Sequence, residues 1–501
     1  MKISHREIVN NAAAAHDGSA GHSAAPGIQT TLPRLSKAWE RSLSPARASG
    51  QIAERTLPCE GSRIRLRPSR TFGCRGRAVK TMKAWNEIDF FAALDWASDH
   101  HDVVVVNSLG QVVADFRFEH SEAGWEQFDQ QMTPFKGAPI AVETNNGPAV
   151  DQLLERGWDL YPVNPKSAER YRDRKLPSGT KTDHFDAWSL AEALRTDGQG
   201  WRGLLPQDPL LVELRLICRD EVALIEQRTA LVNQLQAALR EYYPAALEAF
   251  EDWTMPATWA FVLAFPTPQN LEKAGRRKWE KFLHTHKLWR SQTVEVRLAL
   301  FSRATGLCGS GAIAAAKSLT ACALARVLQV LEVQLQCFQE RIQRLFESHP
   351  DHDLFGSLPG VGPKLAPRLM AGLGDNRGQF PDPESLQCSW GTAPVSFESG
   401  QIKKAHMRHA CDDFMRATVH LWANLSRRSC PWAEAYYRTH RSRGKSHASA
   451  LRSLGHRWLK ILWRMWQNRT CYDPELHQKN QLAHGSWVLQ VLNPQSNSAG
   501  E

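Results

Sequence analysis

The chain has 501 residues, a formal net charge of +10, 23% charged and 42% hydrophobic residues. That length suits two to four domains with an ample buried core and excludes a small disulfide-stapled module. Ten scattered cysteines, with no C-x-x-C pair and no His/Cys zinc spacing, read as reduced thiols rather than a disulfide framework or a zinc ribbon.

No run of about 18 apolar residues stands out, so no membrane-spanning helix is expected. The first residues lack the apolar core of a secretory signal, and the compartment expected is the cytoplasm. Charge is unevenly placed. Residues 1–81 are net +9, residues 82–357 net −8, and residues 358–470 net +11, with 18 Lys/Arg against 7 Asp/Glu. A basic block of that size calls for a polyanionic partner.

Residues 1–81, rich in Ala, Gly, Ser, Pro and Arg, show no sustained period and read as a disordered leader. Met82 is an alternative start. From residue 88 the pattern is α/β. Val103–Asn107 and Gln111–Phe118 read as a hairpin around Leu109-Gly110. Helix is expected over 121–133, strand at 139–143, helix near 148–156 and strand at 159–163. Three early strands in a meander followed by alternating helices and strands point to a ribonuclease H-like domain over 88–205.

Two long helices follow within 206–350. In Leu211–Tyr243, Cys218, Ile225, Val232 and Leu239 recur every seven residues. In the second, Leu324, Leu328, Leu331, Leu335, Phe338, Ile342 and Leu345 alternate steps of four and three, the a/d seam of a coiled coil. Pairing between subunits is the favoured reading, and an antiparallel hairpin within one chain is the alternative. The Trp- and Lys-rich stretch 244–320 reads as a helical insert without an assigned role.

The region 351–472 reads as a second, mainly helical domain, and 473–501 as a tail. Leu358-Pro359-Gly360-Val361-Gly362-Pro363-Lys364 resembles the turn of a helix-hairpin-helix, with Leu365–Leu373 as its second helix, kinked at Pro367. Its glycines would let backbone N–H groups approach a phosphate. Lys403, Lys404, Arg408, Arg416, Arg438, Arg443 and Lys445 are further candidates for phosphate contact, and Tyr436-Tyr437 for base stacking. Trp458, Trp463 and Trp466 fall at helical spacing and read as core.

Four carboxylates have settings that suit one metal site. Asp95 ends the apolar run from Phe90, Glu143 ends Pro139–Val142, and Asp183 and Asp186 lie three apart at a helix start. Ligand sites in α/β proteins gather beyond the carboxyl ends of strands. Oxygen donors of this kind suit Mg²⁺ or Mn²⁺, and clustered carboxylates need a cation to offset their repulsion.

The motifs Leu94-Asp95-Trp96-Ala97, Val142-Glu143-Thr144, Val163-Asn164-Pro165 and Lys181–Ala187 resemble those of the DEDD transposases of bacterial insertion sequences. So do Leu358–Pro363, Trp390-Gly391-Thr392-Ala393-Pro394, Glu398-Ser399-Gly400, Ala435–Arg438 and Arg443–His447. The resemblance covers roughly residues 88–470. It implies a RuvC-like catalytic domain, with Asp95, Glu143, Asp183 and Asp186 holding Mg²⁺, joined to a transposase domain. There Ser399, with Ser396 as runner-up, would attack the DNA backbone and form a phosphoserine link.

It further implies donor and target DNA, a structured noncoding guide RNA, and a dimer or tetramer in which one subunit's carboxylates meet another's serine. Two readings compete: a metal-dependent nuclease or junction resolvase with no covalent step, and an inactive nucleic-acid-binding remnant.

Overall fold

A computed structural model describes residues 85–488, except 146, 176–181, 205–207, 304–309 and 401, and except the side chains of 301–303 and 402–403. The expected leader with its alternative start, and the end of the tail, lie outside these residues.

The first domain is built on a five-stranded sheet. Its strands are β1 (Phe90–Trp96), β2 (His100–Asn107), β3 (Val112–Glu119), β4 (Ile140–Val142) and β5 (Leu160–Pro162), in the order β3-β2-β1-β4-β5. The first three form an antiparallel meander, and β4 and β5 run parallel to β1. Helices α1 (Glu122–Met132), α2 (Pro148–Glu155), α3 (Pro165–Lys175) and α4 (Asp183–Asp197) connect or flank the strands. This mixed sheet fits the ribonuclease H-like class.

Strand periodicity divides the core into two layers, because alternate side chains point to opposite faces. Ala92, Leu94, Val103, Val105, Ile140 and Val142 meet α1 and α2 through Trp125, Phe128, Val150 and Leu153. Phe91, Ala93, Val104, Val106 and Ala141 meet α4 through Ala187, Leu190, Ala191 and Leu194. The central strands are therefore buried on both faces and leave little freedom to shift register.

Helix α5 (Pro209–Tyr242) starts behind Asp208, whose carboxylate accepts from Leu210 N at 2.9 Å. Helices α6 (Pro244–Ala249), α7 (Pro256–Ala264), α8 (Pro268–Ala274), α9 (Arg276–Thr285) and α10 (Val294–Arg303) make up the insert, and α11 (Gly311–Ser348) returns. Ion pairs Arg228–Glu332 at 2.7 Å and Lys317–Glu241 at 2.8 Å fix α5 and α11 as antiparallel neighbours.

The Leu324–Leu345 seam is thus occupied within the chain: Leu328, Leu335, Ile342 and Leu345 are buried, and α11 packs on α5. Within the chain the seam takes the antiparallel hairpin arrangement. The insert has its own aromatic core of Phe250, Trp253, Trp259, Phe261, Phe265 and Trp279 at the far end of the hairpin. Helix α11 also departs from the expectation of no membrane-length segment, being apolar and long enough by composition alone. Its apolar character is that of an Ala- and Leu-rich helix packed on α5 and α7.

The second domain comprises α12 (His352–Gly356), α13 (Gly362–Leu373), α14 (Pro383–Ser389), the hairpin β6 (Val395–Ser399) and β7 (Ile402–His406), then α15 (Asp413–Ser426), α16 (Pro431–Ser442), α17 (His447–Asn468) and α18 (Pro474–Ala483). Trp422, Trp458 and Trp466 are fully buried at its centre, and Trp458 Nε1 donates to Ser426 Oγ at 2.9 Å. Trp463 is partly buried and donates to the Phe380 carbonyl.

Helix α13 runs through Pro367 as one helix. Proline leaves the carbonyl four residues back without its usual donor. Here that carbonyl, of Pro363, accepts instead from Gln339 Nε2 of α11 at 3.3 Å. A buried ion pair, Arg368–Glu221 at 2.8 Å, further joins α13 to α5.

Candidate functional site

Alternation along the strands decides where the acidic side chains go. Asp95 has the parity of Phe91 and Ala93, and Glu143 that of Ala141, so both belong to the sheet face covered by α4. Strands β1 and β4 are parallel neighbours, with Leu94 opposite Val142, which sets Asp95 and Glu143 side by side at their carboxyl ends. Helix α4 begins there. Thr182 caps it by accepting from Phe185 N at 3.2 Å, and Asp183 and Asp186 occupy its first turn on one face.

Burial pushes the Asp95 carboxyl up to about 7, helped in turn by the negative charges of Glu143, Asp186, Asp183 and Asp102. The strand register and the helix start bring the four predicted carboxylates to the same edge of the sheet. Asp186 is buried, and Arg172 of α3 places Nη1 3.0 Å from both of its oxygens. Asp183 is half exposed.

Sequence reasoning missed three members of this neighbourhood. Asp102 pairs with Asp95 across β1 and β2 and is held by Arg117 through bonds of 2.9 and 2.8 Å. His100 Nε2 lies 4.0 Å from Asp102 and 3.9 Å from Asp183. His100, Asp102 and Asp183 could together hold a cation. The available signal was parity, since Asp102 falls in step with Val104 and Val106 on the α4 face.

Ser399 stands elsewhere. It ends β6 and pairs with Ile402 in the last register position before Gly400, whose φ is +57°. All five β6 residues are exposed, including Phe397 at 53%. Among the described residues no hydrogen bond links Ser399 to a carboxylate of the first domain. Ser396 lies lower on the same strand, opposite Ala405. This hairpin was not foreseen, as Glu398-Ser399-Gly400 alone reads only as a turn.

The sequence of both halves matches known proteins. Residues 92–244 match a family described as transposase, of the DEDD class of IS110 elements, and residues 352–438 match the one described as "Transposase IS116/IS110/IS902 family". The "Mini-circle putative transposase for IS117" of Streptomyces coelicolor is 31% identical over 405 residues, which is 78% of this chain and 97% of that protein. The chain belongs to this transposase family.

Two further relatives are the IS110 43.6 kDa protein of Streptomyces coelicolor and the IS900 42 kDa protein of Mycobacterium paratuberculosis. The first is 26% identical, covering 61% of this chain and 76% of the relative. The second is 26% identical, covering 77% and 97%.

The basic residues of the transposase divide by environment. Gly360 (φ +80°) abuts α15: an added Cβ would meet Ser426 N at 2.6 Å. Its glycine thus serves a close backbone approach. Gly362 faces open space, and Lys364 is half exposed with Glu221 3.7 Å away. Lys404 is exposed on the hairpin, whereas the Lys403 side chain is outside the described set.

Arg438 is largely exposed and paired with Glu434. Arg443 lies over the Trp487 ring at 5.1 Å, and Lys445 donates to Ser453 Oγ. Tyr436 stacks on Trp487. Tyr437 has Arg427 3.5 Å above its ring.

Proposed function

We propose that this transposase cuts and rejoins DNA with Asp95, Glu143, Asp183 and Asp186 holding Mg²⁺ (Mn²⁺ being the other candidate) and Ser399 as nucleophile. The observation that carries the reading is the placement of these carboxylates at the carboxyl ends of β1 and β4 and in the first turn of α4. The fit to a divalent cation is chemical: the donors are all oxygen, and burial, with the neighbouring negative charges adding to it, pushes the Asp95 carboxyl up to about 7. When bound, the cation would offset phosphate charge and lower the pKa of an attacking hydroxyl.

The protein's own groups do the rest. The carboxylates orient the site from rigid strand ends, and Ser399 Oγ would bond to phosphorus while a sugar oxygen leaves. One phosphodiester is exchanged for another, so rejoining needs no outside energy. A serine hydroxyl needs activation, and none of the hydrogen bonds described for Ser399's hairpin supplies a base. The exposed, projecting hairpin therefore supports a composite site, with the serine delivered to another subunit's carboxylates.

A dimer or tetramer follows from that reading. With the Leu324–Leu345 seam in use, the face left for a second copy is the exposed stripe Leu319, Val327, Val330 and Val333 of α11. The basic second domain would bind donor and target DNA and a structured guide RNA, in the cytoplasm.

Trapping tests the covalent step. Incubation with donor DNA, RNA copurified with the protein and Mg²⁺ should yield a protein–DNA adduct, absent in Ser399→Ala. Cleavage that persists in Ser399→Ala but stops in Asp183→Ala would establish the simple nuclease instead. A copurified RNA of random sequence would count against guidance.

A further inference from the structure

We propose that Arg408, Arg416 and Arg452 form a cradle for a backbone phosphate of the bound nucleic acid, at the foot of the hairpin that carries Ser399 at its tip. Met407 and Arg408 directly follow β7, whose His406 pairs with Val395 at the hairpin base. Arg416 rises from the first turn of α15 and donates Nη1 to the Arg408 carbonyl and to Cys411 Sγ, each at 3.2 Å. Arg452 reaches across from α17 and donates Nη2 to Met407 Sδ at 3.1 Å.

Arg408 and Arg452 lack acceptors of matching strength. A thioether is a weak acceptor, and Arg408 Nε is buried with no partner. Native structures rarely leave a buried donor unpaired without a reason. The one carboxylate in the group is Asp413, 73% exposed, 2.9 Å from Arg416 Nη2. Among the described residues, neither Arg408 nor Arg452 has an ion-pair partner.

Three guanidiniums with one exposed counter-charge are costly unless an anion joins them. Burial and the nearness of Arg416 lower the Arg452 pKa accordingly. Burial, His447 and Arg452 do the same to His420. A phosphodiester supplies a compact negative charge and oxygen acceptors suited to guanidinium forks. The Val395–His406 pair at the hairpin base lies four residues from Ser399, roughly 13 Å at about 3.3 Å each, and Arg408 of the cradle lies two residues beyond His406. That is about four base steps at ~3.4 Å per step. A strand seated there could extend to the serine.

The inference rests on reading the second domain as the nucleic-acid face, and the experiment separates the two. Binding of the full chain to a labelled random-sequence duplex and to a single-stranded RNA of equal length would be measured across a salt series. The variants are Arg452→Gln, Arg408→Gln, Arg452→Lys and, for the hairpin, Lys404→Gln, each checked for an unchanged melting temperature.

In Arg452→Gln and Arg408→Gln the slope of log affinity against log salt should fall by about one for the engaged polymer. Affinity should fall several-fold, and Arg452→Lys should restore the slope. Loss with the duplex alone assigns the phosphate to DNA, and loss with the single strand alone assigns it to RNA. Wild-type slopes in both glutamine variants, with Lys404→Gln impaired, overturn the cradle and leave the wider reading standing. Wild-type behaviour in all of them overturns both.

Discussion

The two halves of the proposed chemistry are built in opposite ways. Two of the carboxylates sit at strand ends and two in the first turn of α4, against a sheet whose central residues Phe91, Leu94, Val104 and Val142 are buried. The serine sits on a two-stranded hairpin whose first strand is exposed throughout. Metal coordination needs several oxygens held to within a fraction of an ångström, which a doubly covered sheet provides. A nucleophile that must meet a separate partner needs access, which only an exposed element provides.

The largest effect should separate the halves by function. Asp183→Ala and Ser399→Ala should each reduce strand cleavage by about a hundredfold or more, measured on labelled donor DNA. If the two depend on separate subunits, mixing the inactive proteins should restore part of the activity. No recovery on mixing would break the composite-site reading.

A smaller effect should separate them by stability. Leu94→Ala, truncating a side chain 1% exposed beneath the site, should cost about 2–5 kcal/mol. Phe397→Ala on the hairpin should stay within about 0.5 kcal/mol. Chemical denaturation measures both, and a large loss at Phe397 would mean that the hairpin is not the free element described.

Metal removal sharpens the contrast further. In chelator, Asp95→Asn should melt no lower than the parent, because it removes a charge from a repelling cluster. Mg²⁺ should raise the parent's melting temperature and not that of Asp95→Asn. Ser399→Ala should respond to Mg²⁺ like the parent. A lost response in Ser399→Ala would tie the serine to the same subunit's centre.

The smallest effect concerns the core beneath the hairpin's own domain. Burial, with Arg457 nearby, holds the His477 imidazole down at about 4, and Tyr472 Oη lies 3.0 Å from its Nδ1. A group depressed on folding contributes stability that is full above its unfolded pKa of about 6.5. That contribution is lost as pH falls through about 4. His477→Gln should flatten the stability–pH curve in that window relative to the parent.

Much of the first half was legible in the sequence. Hydrophobic runs of strand length located β1, β2 and β4, and the carboxylates at their ends followed from the fold class. For Asp102 the strand parity gave its face but not its partner, which depends on the cross-strand register. Arg172 was not legible, because its role depends on a helix packing that no local pattern encodes. In the second half, the turn at Gly360 was visible but its purpose was not, because the backbone it approaches belongs to α15, about 65 residues on. The Leu324–Leu345 seam was plain, yet a seam specifies an apolar partner and not which chain supplies it.

The antiparallel course of α5 and α11 has a mechanical consequence. At about 1.5 Å per residue, their 34 and 38 residues make a boom on the order of 50 Å long with the aromatic insert at its far end. Both domains are attached at the near end, where α5 begins and α11 stops. Matched shortening of the two arms would therefore change how far the boom reaches while leaving the distance between its moorings as it is.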